Sequence, residues 1–394
     1  MPVTTSKRGF LFDVRVLELA DERGEFAGKL LAGAGADVVK VEPPGGQRTR
    51  AIGPFYQDMR GPNRSLHFWH YNVGKRGVTL DITKAKGREM LKRLLPRFDV
   101  LVETHPPGYM ASLGLGWETI REINPRMVVA SITPFGQTGP WRDLKTADIV
   151  SLALGGVMMC CGYDPTPDGD YDTPPIAPQM WHASHIACNY TYMSIVAALL
   201  HREQSGRGQW LDVSMHQAIA TNTEMDVPYM VYNRAPLLRQ TGRHASPTLT
   251  PNSQVRSKDG RIVWCSGALG GPPKGLIEML KQHNAADDLT DPKYLQIETY
   301  RSPSGSRHIN DVMRRWVGGY KFDADIWKEG QKYGQHWAPI RKPEENIDDP
   351  HWQARKTFSR VRHDDLGKFP RAIVSLGMSV VRLAAEVIGL HAHS

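Results

Sequence analysis

The feature of this sequence that most constrains its fold is a strand–helix–strand pattern close to the amino terminus. Residues 14–19 and 36–42 are β-branched, apolar runs that are typical of buried strands. Between them, residues 21–35 carry apolar side chains at helical spacing and end in Gly35. Two buried strands joined by a helix form the unit of a parallel sheet. The pattern recurs, with further strands predicted at 77–81, 98–103, 127–132 and 210–215.

The turn after the first strand argues against a dinucleotide site. It reads Ala-Asp-Glu-Arg-Gly-Glu from residue 20 and lacks the G-x-G-x-x-G fingerprint. In open α/β sheets, ligands bind beyond the carboxyl ends of the strands. We therefore expect a binding site in the loops that follow Glu42, Glu103 and Ile132.

The chain of 394 residues is long for a single core, and the pattern changes along it. The alternation of strands and helices is lost after Asp226, where Pro, Asn, Thr and Ser become common. These observations predict an α/β fold with a large Rossmann-like domain (1–226), a smaller domain (227–332) and a segment that returns to the large domain (333–394).

The composition limits the possible partners. The formal net charge is +8, but no block of Lys and Arg stands out, so nucleic acid is not expected. A phosphate-bearing small molecule as ligand would explain the surplus of positive charge, and so would an ordinary basic surface. The short polar amino terminus is not typical of a signal peptide, and no apolar run approaches the ~20 residues of a membrane helix. Four cysteines without zinc spacing predict reduced thiols in a cytoplasmic protein.

Several charged residues are candidates for binding an anion. Lys75 and Arg76 precede a predicted strand and have aromatic neighbours, which suits a phosphate or an adenine, although the spacing favours a solvated pair. His105 follows the fourth strand, in a rigid turn with two prolines that could equally be a plain connector. Asp143, Lys145 and Asp148 form either an ion-pair network or, through Lys145, a phosphate contact; the network is the preferred interpretation.

A polar turn before a long apolar helix, predicted at 187–202, carries His182, Ser184 and His185. Helix N-termini gather unpaired N–H groups, so we expect a reacting centre near residues 182–185. A Ser–His pair needs both side chains within hydrogen-bond reach, which sequence neighbours rarely achieve, and the G-x-S-x-G elbow is missing. A zinc site on the two histidines would need further ligands that the sequence does not offer, so no metal is predicted.

Taken together, the ordered motifs closely resemble class III CoA-transferases, the family of formyl-CoA transferase and carnitine CoA-transferase. The resemblance runs from about residue 14 to about residue 366. The motifs that carry it lie at 16–19, 30–46, 72–81, 99–103, 113–116, 123–126, 131–140, 197–209 and 349–351.

This resemblance implies a Rossmann-like large domain and a smaller α+β domain, with two chains threaded through each other as interlocked rings. It implies coenzyme A and its thioesters as substrates, with no permanently bound cofactor. Lys75 and Arg76 match the family's cationic CoA-binding pair, and Thr104 and His105 match two residues that line the ligand after the fourth strand.

The same resemblance implies an aspartate nucleophile, whose carboxylate attacks an acyl-CoA thioester and then carries the CoA to an acceptor acid. Aligned forward from Pro175 or backward from Leu199, this position is Ser184. The His-Asp step of racemase relatives corresponds to Ala147 and Asp148, and their second aspartate again to Ser184. The chain alone is therefore expected to catalyse neither CoA transfer through an aspartate nor the proton exchange of the racemases.

Two hypotheses follow. The preferred one is a CoA-transferase subunit without its own nucleophile, in a hetero-oligomer whose homologous partner supplies the aspartate, as in the paired subunits of benzylsuccinate CoA-transferase. The alternative is a homodimer with other acyl-CoA chemistry, such as thioester hydrolysis supported by His182, His185 or Ser184, or a CoA-binding protein without turnover. The acyl donor and acceptor are not predicted beyond an acyl-CoA and a carboxylic acid.

Overall fold

One parallel sheet of six strands is the scaffold of the first part of the chain. The computed structural model describes residues 9–267, 271–358, 362–363 and 367–368. All six strands predicted for this sheet are confirmed, in the order β3-β2-β1-β4-β5-β6. Their bounds are β1 Arg15–Leu19, β2 Asp37–Glu42, β3 Arg76–Thr79, β4 Val100–Glu103, β5 Val128–Thr133 and β6 Trp210–Ser214.

Helices connect and cover these strands. The core on one side of the sheet combines strand residues such as Leu17 and Leu101 with Leu91, Leu95 and Met127, and each of these five side chains is fully buried. The helices are α1 Glu25–Gly33, α2 Leu66–Asn72, α3 Ala85–Leu94, α4 Tyr109–Ser112, α5 Trp117–Ile123, α6 Asp148–Leu154, α7 His182–Ser205 and α8 Met215–Ala220.

The chain contacts define two compact units. The first comprises Met1–Val157, Ala177–Glu224 and Ile347–Ser394, and the second Met158–Ile176 and Met225–Asn346, each taken over its described residues. The division differs from the one predicted from the sequence in two places. The loop Met158–Ile176 joins the second unit, where Arg239 donates to the Thr173 carbonyl and Arg243 pairs with Asp164. The return to the first unit comes at residue 347 instead of 333.

The second unit is a smaller α+β structure. Its three strands are antiparallel, in the order β7-β8-β9. Trp337, Leu276, Met279, Ile309 and Met313 are fully buried in its core. Its elements are α9 Asp226–Pro228, β7 Gln254–Arg256, β8 Ile262–Trp264, α10 Lys274–Gln282, α11 Ile297–Tyr300, α12 Pro303–Gly318, α13 Ile326–Lys332 and β9 Ala338–Pro339.

Two helix boundaries differ from the prediction in ways that matter for the site. Helix α1 begins at Glu25 because residues 20–24 form a turn in which the N–H groups of Gly24 and Glu25 both donate to the Asp21 carbonyl, at 2.9 Å. Helix α7 is longer than expected and begins at His182. It ends at Ser205 and is followed by Gly206, whose φ of +73° suits glycine, as after many helix C-termini.

The described part of the chain ends with helix α14 (Pro350–Ala354) and an antiparallel pair, β10 Arg362–His363 and β11 Gly367–Lys368. Most of the remainder of the predicted return segment lies outside the described residues. Among the described helices, none has the length and apolar character needed to cross a bilayer.

Candidate active site

The strand order places a crevice between β1 and β4. Strand β1 pairs in parallel with β2 on one side and with β4 on the other, so the connections that leave β1 and β4 run in opposite directions. This is the topological switch point, where open α/β sheets bind their ligands. The loops after Leu19 and Glu103 therefore face the expected site.

A pocket of about 960 Å³ opens at this edge, entirely within the first unit. Its volume lies at the upper end of the range of small-molecule sites. Four cationic side chains, three acidic ones and a larger number of apolar ones form its walls. The lining residues are Glu22, Arg23, Arg48, Pro106, Pro107, Pro134, residues 142–149, Leu152, Ala177, Pro178, Met180, Trp181, Ser184 and Met215.

A clamp between the loops after β1 and β4 fixes one wall of the pocket. Thr104 accepts a hydrogen bond from the Asp21 N–H at 2.9 Å, and its hydroxyl donates to the Asp21 carboxylate at 3.0 Å. Arg23 spans the same loops, pairing with Asp21 at 2.6 Å and donating to the Thr104 carbonyl at 2.7 Å. Burial opposes ionisation of Asp21, but Arg23 and Arg48 hold the pKa of its carboxyl below the ordinary value. Thr104, predicted to line the ligand, is buried in this clamp.

Lys75 lies in a buried network of charges. Its ammonium contacts the Glu18 carboxylate at 2.7 Å, and only 1% of its side chain is exposed. Lys40 bridges the same Glu18 and Glu25, at 2.9 and 2.8 Å, and also donates to the Ala20 carbonyl at 2.8 Å. Burial opposes the charge on Lys40, but Glu18 and Glu25 raise the pKa of its ammonium above the ordinary value. In this structure Lys75 stabilises the fold through its buried ion pair with Glu18. A contact of Lys75 with CoA stays a prediction.

Arg76 is separated from the pocket. As the first residue of β3 it lies at the opposite edge of the sheet, where its guanidinium pairs with Asp37, the first residue of β2, at 2.6 Å. The ring of His105 packs on Tyr109 with centroids 4.8 Å apart, and the backbone N–H of His105 donates to the Glu103 carboxylate at 2.7 Å. The structure thus brings Thr104 and His105 together beside the crevice but gives Arg76 a different location.

Ser184 lies in the first turn of α7 and lines the pocket. Its hydroxyl and its N–H both donate to Asp148 Oδ1, each at 2.9 Å, and only 1% of the residue is exposed. Asp148 comes from α6 and binds the N-terminus of α7, where the helix dipole favours an anion. Asp148 therefore contacts Ser184, an interaction that the predicted network with Asp143 and Lys145 did not include.

His185, the residue after Ser184, is engaged elsewhere. His185 Nε2 is hydrogen-bonded to the Tyr71 hydroxyl at 2.7 Å, and its ring packs on Phe26 with centroids 4.3 Å apart. Burial, with a smaller contribution from Lys29, lowers the pKa of His185 to about 4, so the ring is neutral at pH 7. The Ser184 hydroxyl is directed to a carboxylate instead of to an imidazole. Within the described residues, no group of three His, Cys, Asp or Glu side chains is arranged to hold a metal ion.

Glu103, at the end of β4, is a buried acid below the His105 turn. It is 4% exposed, and burial raises the pKa of its carboxyl to about 7, against smaller opposing effects of Ser131 and the His105 N–H. Because its pKa is higher in the fold than in the unfolded chain, the native state binds the proton more tightly. The stability from protonated Glu103 is therefore present at low pH and is lost as the pH rises from about 4.5 to about 7.

Glu103→Gln is expected to remove this dependence. The amide oxygen keeps an acceptor for the His105 N–H but carries no charge. At pH 8 the variant should unfold with a free energy about 2–3 kcal/mol above that of the wild type, and at pH 5 the two should differ little. Urea denaturation at both pH values measures the effect. The exposed Glu122→Gln is the matched control, and an equal gain at both pH values would contradict the assignment.

The sequence reasoning missed several residues that form the site. Arg23 and Asp21 were assigned to a predicted helix, and Arg48 and Trp181 were not singled out. The switch-point rule would have directed attention to the loop after β1 once the strand order was known, but the order itself is not readable from the strand pattern.

The parallel sheet and the pocket at its switch point define an α/β protein with a cavity of small-molecule size beyond its strand ends. A family model described as CoA-transferase family III matches residues 11–386, and the chain belongs to this family. The resemblance stated from the sequence motifs is thereby confirmed, and the chain is an enzyme of the CoA-transferase type.

The similarity to two relatives and to one solved structure extends over most of the chain. The chain is 29% identical over 361 residues to succinyl-CoA--D-citramalate CoA-transferase of Chloroflexus aurantiacus, covering 91% of this chain and 85% of the relative. It is 30% identical over 360 residues to succinyl-CoA:(R)-benzylsuccinate CoA-transferase subunit BbsE of Thauera aromatica, covering 90% and 84%. A CAIB/BAIF family protein from Brucella suis shares the fold, with a TM-score of 0.74, 24% identity and coverage of 97% and 100%.

Proposed function

We propose that this chain is the subunit of a hetero-oligomeric acyl-CoA:carboxylate CoA-transferase that lacks the nucleophilic aspartate. Ser184 carries the proposal, because it occupies the position that the family resemblance assigns to the nucleophile. The serine hydroxyl is buried and bound to Asp148. A serine ester would be a poor precursor of a thioester, so the family's covalent route needs a carboxylate from elsewhere.

Asp148 does not replace the missing nucleophile in this arrangement. One of its carboxylate oxygens accepts two hydrogen bonds from Ser184, and the other lies 3.4 Å from the Ala183 N–H. A carboxylate engaged in this way is stabilised as an anion and binds the helix terminus. Its role is to fix the start of α7.

The proposed partner is a homologous chain that carries aspartate at the position of Ser184. One relative, BbsE, is named as a subunit of a CoA-transferase, which supports a paired assembly. We propose that the two chains interlock as rings and act in the cytoplasm on an acyl-CoA and a carboxylic acid. Assembly of the chain with itself is the alternative. Thioester hydrolysis is less well supported, since His185 is bound to Tyr71 and neutral at pH 7.

The isolated chain is expected to form a folded dimer without CoA-transfer activity. The test incubates it with succinyl-CoA and a panel of carboxylic acids and follows new CoA thioesters by mass spectrometry. The complex purified from the native host should contain a second chain of similar size and should transfer CoA. Replacing the partner's aspartate by alanine should abolish that transfer. Robust transfer by the isolated chain would overturn the proposal, and free thiol released without an acceptor would indicate hydrolysis instead.

A further inference from the structure

A second cavity, of about 610 Å³, lies at the amino-terminal edge of the parallel sheet and entirely within the first unit. Its walls include Arg15 and Asp37, the first residues of β1 and β2. Asp99 and Arg126 come from the segments that lead into β4 and β5. The candidate active site lies at the opposite edge of the same sheet, and among the described residues the two cavities share no lining residue.

One wall of this second cavity is a buried guanidinium. Arg202, in the last turn of α7, is 8% exposed and donates from Nη1 to Asp99 Oδ1 at 2.8 Å. The other oxygen of Asp99 accepts the backbone N–H of Arg15, also at 2.8 Å. Arg202 Nε is buried and makes no hydrogen bond within the described residues, with Glu203 Oε1 3.4 Å away. Asp99 is therefore neutralised, and it does not oppose an anion in the cavity.

Two further arginines line the same cavity without an acidic partner. Arg15 and Arg97 are exposed, and neither guanidinium has an ion pair or a hydrogen bond in the part of the chain that the structure describes. The carboxylate of Asp37 is not available to them, because Arg76 donates to its two oxygens at 2.8 and 2.6 Å. Guanidinium groups that converge on one cavity without carboxylate partners suit the oxygens of a phosphate group.

An acidic side chain at the same cavity narrows the class of ligand. Asp13 is exposed and has neither an ion pair nor a hydrogen bond within the described ranges. A carboxylate repels a bare anion, but it accepts hydrogen bonds from hydroxyl groups. The volume of the cavity lies within the range of small-molecule sites. Two unpaired arginines and one unpaired aspartate therefore match a phosphate ester that also carries hydroxyl groups.

From these observations we infer that the amino-terminal edge of the sheet carries a second binding site, for a small phosphate ester with several hydroxyl groups, such as a sugar phosphate. Its phosphate would contact Arg15 and Arg97, and its hydroxyl groups would donate to Asp13. This inference goes beyond the proposed function and does not depend on it, because the site contains none of the residues of the candidate active site. A ligand that binds only the folded chain also raises its thermal stability.

The test is calorimetric titration of the full chain with ribose 5-phosphate, and with inorganic phosphate as the probe that lacks hydroxylated carbons, both at one ionic strength. One ribose 5-phosphate site per chain is expected. The Arg15→Ala/Arg97→Ala double variant should bind both probes at least about tenfold more weakly. Arg121→Ala/Arg307→Ala is the matched control, because it removes two exposed arginines outside the cavity and changes the net charge equally. Its affinity for both probes should stay that of the wild type.

Asp13→Ala is expected to change the affinities for the two probes in opposite directions. Loss of the carboxylate removes a repulsion, so inorganic phosphate should bind more tightly, whereas ribose 5-phosphate loses the acceptor of its hydroxyl groups and should bind more weakly. Tighter binding of both probes would contradict the assignment of the hydroxyl groups and overturn the inference.

A variant of the other cavity shows where the probe binds. Arg142 and Lys145 line the candidate active site, and Arg142→Ala/Lys145→Ala should leave the affinity for ribose 5-phosphate unchanged. The inference is overturned if this variant loses the binding, if Arg15→Ala/Arg97→Ala keeps wild-type affinity, or if the wild-type chain does not bind ribose 5-phosphate. None of these results bears on whether the chain takes part in CoA transfer.

Discussion

Ser184→Asp is expected to give the isolated chain an acyl-transfer activity that the wild-type chain lacks. The new carboxylate would lie in the first turn of α7 and line the pocket, where helix N–H groups stabilise an anion. The carboxylate would attack the carbonyl carbon of a bound thioester, break its C–S bond, and give a mixed anhydride and free CoA thiolate. We expect covalent labelling at least about a hundredfold above the wild-type background, which is far below the ~10⁶-fold loss seen when an optimised enzyme loses its nucleophile.

The covalent labelling of the Ser184→Asp variant should depend on pH, because Asp148 lies beside the new carboxyl group. Ser184 Oγ is 2.9 Å from Asp148 Oδ1, so the variant would place two carboxyl groups within hydrogen-bond distance. Like charges this close raise the pKa of one member of the pair, and labelling should rise with pH as that group ionises. Adding Asp148→Asn removes the repulsion and should shift the rise to lower pH.

The measurement is hydroxylamine-sensitive labelling of the protein by a radiolabelled acyl-CoA, located by peptide mass spectrometry. Ser184→Asn is the matched control, since it has the size of aspartate without its charge. If the aspartate variant folds and binds CoA but stays unlabelled, the surrounding residues are not arranged for anhydride chemistry, and the transferase interpretation of this pocket is wrong.

Lys40→Met is expected to cause the largest loss of stability of any single substitution considered. The Lys40 side chain is 2% exposed and neutralises Glu18 and Glu25, which are themselves fully buried. Methionine fills a similar volume but removes the positive charge that neutralises these two carboxylates. Removing one partner of a buried ion pair lowers the free energy of unfolding by about 3–5 kcal/mol. The loss should appear in urea unfolding at pH 7.

A second substitution shows whether the stability loss of Lys40→Met comes from the unpaired charge or from altered packing. In Lys40→Met/Glu25→Gln, one unpaired carboxylate is removed, while Glu18 keeps Lys75 at 2.7 Å. The double variant should recover a large part of the lost stability. Lys332→Met, which breaks the surface pair with Glu329, should change little. If the double variant is no more stable than Lys40→Met alone, the loss comes from packing instead of from the unpaired charge.

The sheet was predictable because buried parallel strands are nearly continuous apolar runs, as residues 100–102 and 128–130 show. The turn at Asp21–Gly24 was not predictable, since its hydrogen bond to Thr104 joins residues that are 83 positions apart in the sequence. Lys75 and Arg76 look like one cationic pair in the sequence, but the first is buried on Glu18 and the second meets Asp37 at the far edge. Consecutive residues of an extended segment point to opposite sides, and charge alone does not tell which side meets a ligand.

The position of Ser184 was reached by alignment with the family, whereas its contact with Asp148 needed the structure. The two residues are 36 positions apart, on different helices, and the segment between them includes a loop that belongs to the other unit. The apolar pattern indicates both helices but not how the start of one meets the other. Side-chain contacts at helix ends of this kind depend on tertiary packing, which a single sequence does not specify.

The discontinuous division of the chain has a consequence for protein engineering. Because the first unit is assembled from three separate stretches, no single cut yields either unit as one continuous fragment. Truncation after residue 224 would remove the stretch that begins at Ile347, and excision of 225–346 would leave the loop Met158–Ile176 without the rest of its unit. A chimera with a homologous chain is better made by exchanging Ala177–Glu224, which carries Ser184 with the whole of α7 and begins and ends at unit boundaries. Such an exchange would transplant the nucleophile position intact between two members of the family.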